Sequence, residues 1–207
     1  MAASPRDVLV DWFEVEHVVA ELPPSYNVAP TDDVPAVTAD QGRRALGVMS
    51  WGLGGRINAR AETLTQQPRF RQPFLTRRCL LPADGFYEWE TLPGGAKQPF
   101  LFAATDGHPL ALAGIWDAPG ACAIVTSAAS EPVVRLHDRM PVVVDPERWD
   151  DWLDPDADVD ELRSLLVPPR EVPLTVQRVG TRVNDVRNND ARLLDPVPPP
   201  PEPLRLL

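Results

Sequence analysis

The chain has 207 residues, 43% of them hydrophobic, and a formal net charge of −10. This suits one domain with its own core and excludes a disordered chain. No apolar run is long enough to span a membrane, and the start, MAASPRDVLVDWFEVE, lacks the basic-then-apolar order of a signal peptide, so a cytoplasmic setting is expected.

Along the chain, Ser4-Pro5 reads as the start of a helix, with Ser4 as cap, Pro5 in the first turn and Asp7 placed for the dipole. Val8, Leu9, Trp12 and Phe13 give that helix its apolar face. LPPSYNVAPTDDVPAV is a proline-broken loop leading into a short strand. In RINARAETL, Asn58, Arg60 and Glu62 alternate with Ile57, Ala59 and Ala61, which is strand spacing with an amide, a guanidinium and a carboxylate on one face. From Cys79 to Thr126 the pattern is a β-meander: CLLPADGFYEWE, QPFLFAA, PLALAGIW and CAIVTS are strand-like, and Gly94-Gly95, Asp106-Gly107 and Ala118-Pro119-Gly120 are turn signals. DPERWDDWL reads as a helix capped by Asp145, and DVDELRSLL as another. PLTVQRVGTRVNDV returns to extended structure, and the proline-rich stretch from Pro196 reads as a tail outside the fold. The predicted class is α+β: a β-rich single domain over residues 1–195 with a mainly antiparallel, barrel-like sheet and a few flanking helices, then a tail over 196–207.

An acidic chain is a poor nucleic-acid binder on net charge alone. The charge is uneven, however. Between Arg56 and Arg78 lie six arginines against one acid, Glu62. Either this is a binding face on an acidic protein or it is a scatter of solvated arginines in a chain whose one lysine is Lys97. Cys79 and Cys122 have no metal-ligand spacing and there are three histidines, which argues against a structural zinc site. No Gly-rich phosphate loop follows a strand, so neither metal nor cofactor is expected.

Polar groups in apolar settings mark three stretches. Glu88 lies between Tyr87 and Trp89; it is either on the solvent side of an alternating strand or a carboxylate of raised pKa suited to proton transfer. His137, in RLHDRMPVVV, is either structural or functional. Cys79, beside leucines, reads as a small buried hydrophobe. No serine or cysteine triad has sequence support.

INARAET, RRCLLPADGFYEWE and HDRMPVV, with YNVAPT, WGL and RVNDVRNND in the same order, resemble the SRAP family of abasic-site processing proteins, also called SOS-response-associated peptidases. The resemblance extends to about Asp195. It implies a DNA-repair protein, monomeric and nucleoid-associated when bound, that takes single-stranded DNA with an abasic site as its partner. Family members trap the ring-opened aldehyde through an N-terminal cysteine: the α-amine forms a Schiff base and the thiol closes a thiazolidine, giving a DNA–protein crosslink. Carried over by motif, Asn58 positions the sugar, Glu88 shuttles protons and His137 assists ring opening. Arg60 and Arg139 hold phosphates, Trp51 and Pro30 pack against the displaced strand, and Thr126 lies near the lesion.

One departure matters. The family begins Met-Cys-Gly-Arg; this sequence begins Met1-Ala2-Ala3-Ser4. Neither Cys79 nor Cys122 carries an α-amine, so no nucleophile is assigned; self-processing peptidase activity depends on a cysteine that this sequence does not supply, whereas the Ala2 α-amine, exposed by loss of Met1, would allow Schiff-base lyase chemistry without a stable adduct. The alternative is a non-covalent single-strand binder. A second departure is the short loop between Trp51 and Asn58.

Overall fold

A computed structural model describes residues 1–169 and 171–198. The first helix, α1 (Arg6–Trp12), buries Leu9, and Phe13 beyond its end is wholly inside. Val8 is exposed, so the apolar face is narrower than its sequence suggests. Pro5 is the N-cap and no side chain caps the helix; the hydroxyl of Ser4 is turned to the carboxylate of Asp84 instead.

The larger sheet is built on β2 (Asp33–Asp40) and β3 (Arg43–Trp51), an antiparallel pair, with β1 (His17–Val18) parallel to β3 on the outside. The short β4 (Asn58–Arg60) follows, then helix α2 (Pro68–Thr76), then β5 (Arg78–Ala83), β8 (Leu110–Asp117), β9 (Ala121–Ala128) and β10 (Arg139–Pro141). The path β3-β2-β5-β8-β9 returns to its start because β9 also pairs β3. That closing contact involves two register pairs, Ser50 with Ala121 and Trp51 with Cys122, and it is parallel. The β2–β5 contact has one register pair, Val37 with Leu80. The ring is therefore closed at narrow joints and is not a full barrel. β4 also runs parallel to β9, and with β1–β3 and β3–β9 it adds parallel joints to a sheet that is mainly antiparallel, as predicted.

A second sheet holds β6 (Phe86–Thr91), β7 (Lys97–Ala104) and β11 (Leu174–Arg178). CLLPADGFYEWE reads as one strand but is two, β5 and β6, in different sheets. The break is at Asp84-Gly85. A Cβ on Gly85 would lie 2.4 Å from the carbonyl oxygen of Phe102, so only glycine lets the chain cross that close to β7.

Beyond the sheets, α3 (Trp149–Leu153) and α4 (Val159–Leu165) cover the core. A 3₁₀ turn over Pro146–Arg148 precedes α3, and Asp145 makes no side-chain cap bond. Asp158, by contrast, caps α4 by accepting from the amides of Asp160 and Glu161. The segment after β11 becomes a 3₁₀ turn at Thr181–Asn184 rather than continuing extended. Pro196 bridges Val179, and the amide of Val197 donates to Arg178 at 3.0 Å. The tail thus starts as part of the fold; residues 199–207 lie outside the described residues. Among the described residues, no helix is long and apolar enough to cross a membrane.

Candidate functional site

The two sheets diverge after Gly85, and a cavity of about 870 Å³ opens between β6, the end of β9, β10 and the loops before β2 and β4. Pro30, Trp51, Asn58, Glu88, Thr126, His137 and Arg139 all line it. These residues span more than a hundred positions of sequence and converge through strand pairing. β4 sets Asn58 beside Ile124 and Arg60 beside Thr126, and β10 sets Pro141 opposite Thr126. Arg60 does not line the cavity; it is exposed on the same side of β4 as Asn58, with Ala59 buried between them.

Glu88 is mostly shielded. Its carboxylate Oε1 lies 3.9 Å from Nδ1 of His137, near but beyond a direct hydrogen bond. Burial raises its pKa above the ordinary 4.5; the imidazole of His137 opposes this shift and Asp138 adds to it. It therefore holds a proton more readily than a surface glutamate does, as an acid–base group near neutrality should. His137 is about half exposed, and its Nδ1 lies 3.0 Å from the amide nitrogen and 2.8 Å from the carbonyl oxygen of Arg139. The turn at Asp138 thereby fixes the ring, which faces Glu88 and the cavity.

Trp51 donates its indole N–H to the carbonyl of Ile57 at 2.9 Å. The short loop it anchors is further held by the amides of Gly52 and Leu53, which donate to Cys122 O at 2.8 and 3.0 Å. The polar face read over Asn58, Arg60 and Glu62 is interrupted. β4 ends at Arg60, a 3₁₀ turn takes Ala61–Thr63, and Glu62 swings out to Arg139. Nor is the arginine cluster one patch. Arg78 is buried, Arg77 pairs with Asp117 at 2.9 Å, and Arg69 donates to the carbonyl of Gly54 at 2.8 Å. Arg56, Arg60 and Arg71 remain exposed. Helix α2 separates the members, and the sequence reading passed over that helix.

Sequence reasoning missed several residues of the wall. Asn27 is buried and donates to the carbonyls of Val183, Asp185 and Asn188 at 3.1, 3.2 and 3.1 Å, so it ties the YNVAPT loop to RVNDVRNND. Trp89 donates to the side-chain oxygen of Asn184 at 2.8 Å, closing the same corner. Met1 and Ala2 also line the cavity. The Met1 amine donates to Gly85 O at 2.8 Å; enclosure pushes its pKa down to about 6, against the opposing pull of Asp84. Asp84 accepts from the amides of Ala3 and Ser4 at 2.5 and 2.9 Å. The motifs YNVAPT and RVNDVRNND were the available signal for Asn27 and Asn184; nothing in the spacing marks Asp84 as a partner of residues eighty positions away.

Cys79 and Cys122 are both wholly buried and neither lines the cavity. Burial pushes both thiols up, Cys122 to about 12, so neither supplies a thiolate. A separate cavity of about 470 Å³, beside Trp12, His108 and Trp149, contains none of the candidate site residues.

Residues 1–186 match the family described as SOS response associated peptidase (SRAP). The chain belongs to the SRAP family. It is 35% identical to the abasic site processing protein YoaM of Bacillus subtilis, over 93% of this chain and 94% of that one. It is 30% identical to the abasic site processing protein YedK of Escherichia coli, over 83% and 84%. The backbone superposes on a solved structure of a Bacteroides thetaiotaomicron protein with a TM-score of 0.79 at 23% identity, covering 95% of this chain and 97% of that one. That likeness speaks for the fold alone.

Proposed function

We propose that this protein binds single-stranded DNA at abasic sites during DNA repair and holds the ring-opened sugar in the cavity between Asn58, Glu88 and His137. The observation that carries this reading is the convergence of those three side chains on one cavity in an SRAP chain whose relatives are named for abasic-site processing. Asn58 offers an amide to the sugar oxygens. Glu88, with its raised pKa, passes protons at the aldehyde oxygen and at any amine that attacks it, and His137 protonates the ring oxygen and deprotonates the hydroxyl as the sugar opens. Thr126 sits at the lesion with Arg139 beside it, and Arg60 meets the phosphates. Trp51 and Pro30 stack against the base displaced beside the gap. The reading includes action as a monomer, at the nucleoid where damaged strands are found.

A thiazolidine crosslink enters this reading only with a thiol other than those of Cys79 and Cys122. Fluorescence anisotropy against a single strand with one natural abasic site and the same strand intact tests the binding. Preference for the abasic strand, lost in Glu88→Gln and Asn58→Ala, is the expected result. A denaturing gel of the same mixtures separates covalent from non-covalent capture. Equal affinity for both strands sinks the lesion-specific reading in favour of a general single-strand binder.

A further inference from the structure

Two arginines flank the proposed site, and their surroundings differ. Arg60 is exposed and, among the described residues, has no acidic group within 4.0 Å. Arg139 is mostly enclosed. Its Nη1 and Nη2 donate to the two oxygens of Glu62 at 2.6 and 2.9 Å, and Nη2 donates again to Thr126 O at 2.6 Å. Its Nε is buried without a partner. The carboxylate therefore occupies the pair of donors with which an arginine grips a phosphate, and the Thr126 carbonyl prevents the side chain from turning away.

Glu62 is half exposed and its pKa is lowered, first by the hydrogen bonds from Arg139 and further by the nearby charges of Arg139 and Arg60. It stays ionised, so the pair is neutral overall. Counterion release on strand binding follows net charge brought to the phosphates. An ion pair contributes little to it, whereas a free guanidinium contributes fully. Of the two arginines at this site, one therefore acts as a charge and the other does not.

We infer that Glu62 is a specificity-determining residue: it cancels the charge of Arg139 and fixes its fork, so that an intact strand gains little there and affinity depends on what enters the cavity. The inference rests on the DNA-binding reading above. Its test is the salt dependence of affinity for an intact single strand and for the same strand carrying one tetrahydrofuran abasic analogue. Glu62→Gln keeps the shape and removes the charge. It should bind the intact strand a few-fold tighter, steepen the slope of log affinity against log salt by about 0.7, and shrink the preference for the abasic strand. Arg60→Gln should make the slope shallower by about the same amount. The double variant Glu62→Gln/Arg139→Gln restores the net charge of the site and should return the slope to that of the unaltered protein.

A brace without influence on charge would give a different result. Glu62→Gln would then weaken both strands in parallel at unchanged slope, and the inference would fall while the DNA-binding reading stood. Absence of salt-dependent strand binding by the unaltered protein would overturn both.

Discussion

Two regions of this molecule use arginines and aromatic rings to opposite ends. At the joint of α2, α3 and β5, Arg78 is buried and donates to three main-chain carbonyls: Trp152 O at 2.7 Å, Phe74 O at 2.6 Å, and that of Asp154. These are acceptors left free at the carbonyl ends of two helices. The ring of Trp152, fully buried, donates back to Cys79 O at 2.9 Å. Every group there has a fixed partner. At the cavity the polar groups are left short of partners. Glu88 and His137 stand 3.9 Å apart without a direct bond, and Arg139 Nε is buried with none. Satisfied polar groups hold a fold together; underused ones, held in place by a rigid frame, are where a ligand's own donors and acceptors fit.

The sharpest way to break the comparison is at the joint. Trp152→Ala should cost about 3 to 5 kcal/mol, from lost burial and the void left behind. Arg78→Met should cost a similar amount, since three buried carbonyls lose their donor at about 1 to 3 kcal/mol each before the structure relaxes. Either change should lower the midpoint of thermal unfolding by about 10 °C; a shift within error in calorimetry would mean that the joint is not what stabilises the ring of strands.

Asn27 lies between the two regions in character: buried, its amide nitrogen bonded to main-chain carbonyls, yet on the cavity wall. Asn27→Ala should cost about 1 to 3 kcal/mol and also loosen the loop that carries Asn184. Hydrogen exchange at residues 183–188 should speed up in this variant and stay slow in the Trp152 variant below its melting point.

Glu88→Gln tests the open side. In the window from the ordinary carboxylate pKa of 4.5 up to its raised folded value, the unfolded chain has released its proton while the folded chain keeps it, so stability falls as pH rises through that window. Above it the penalty is fully present. Glu88→Gln removes the penalty, so its melting temperature at neutral pH should equal or exceed that of the unaltered protein, with the gain gone below the ordinary pKa. A marked loss at neutral pH would mean that Glu88 is a structural group and not one held ready for chemistry.

How far the sequence showed these two regions follows from the range of the forces involved. Alternation and turn residues made β7, β8 and β9 legible, and the run DVDELRSLL marked α4, because each depends on neighbours within a few positions. Of the eight residues named from motif resemblance, seven lie on the cavity's wall and Arg60 lies outside it. What stayed hidden depends on distant partners. Gly85 splits one apparent strand into two because Phe102 O lies across its path, which no local pattern encodes. Helix α2 was passed over although Pro68 at its start and Phe70 and Phe74 at helical spacing were there to read. Arg69, Arg77 and Arg78 counted as positive patch until the fold assigned each a partner. Ser4 was given a capping role that Asp84, eighty positions on, takes from it.

The smallest expected effect concerns Glu62. Its pKa lies below the ordinary 4.5, held down chiefly by hydrogen bonds from Arg139. The sign is therefore opposite to that of Glu88. The stabilisation is fully present above the ordinary value and is lost as pH falls through the folded one, where the carboxylate takes up a proton and gives up the fork. With half its side chain in solvent, the pair is screened by salt and adds only modestly to the fold. Melting temperatures of the unaltered protein and of Glu62→Gln should differ slightly at neutral pH and converge in acid. The Glu88 and Glu62 variants should thus show opposite changes with pH, one gaining stability and one losing it above the carboxylate range. Parallel profiles would mean that the two carboxylates share one environment, and the contrast between an unpartnered acid inside the cavity and a paired one at its rim would not hold.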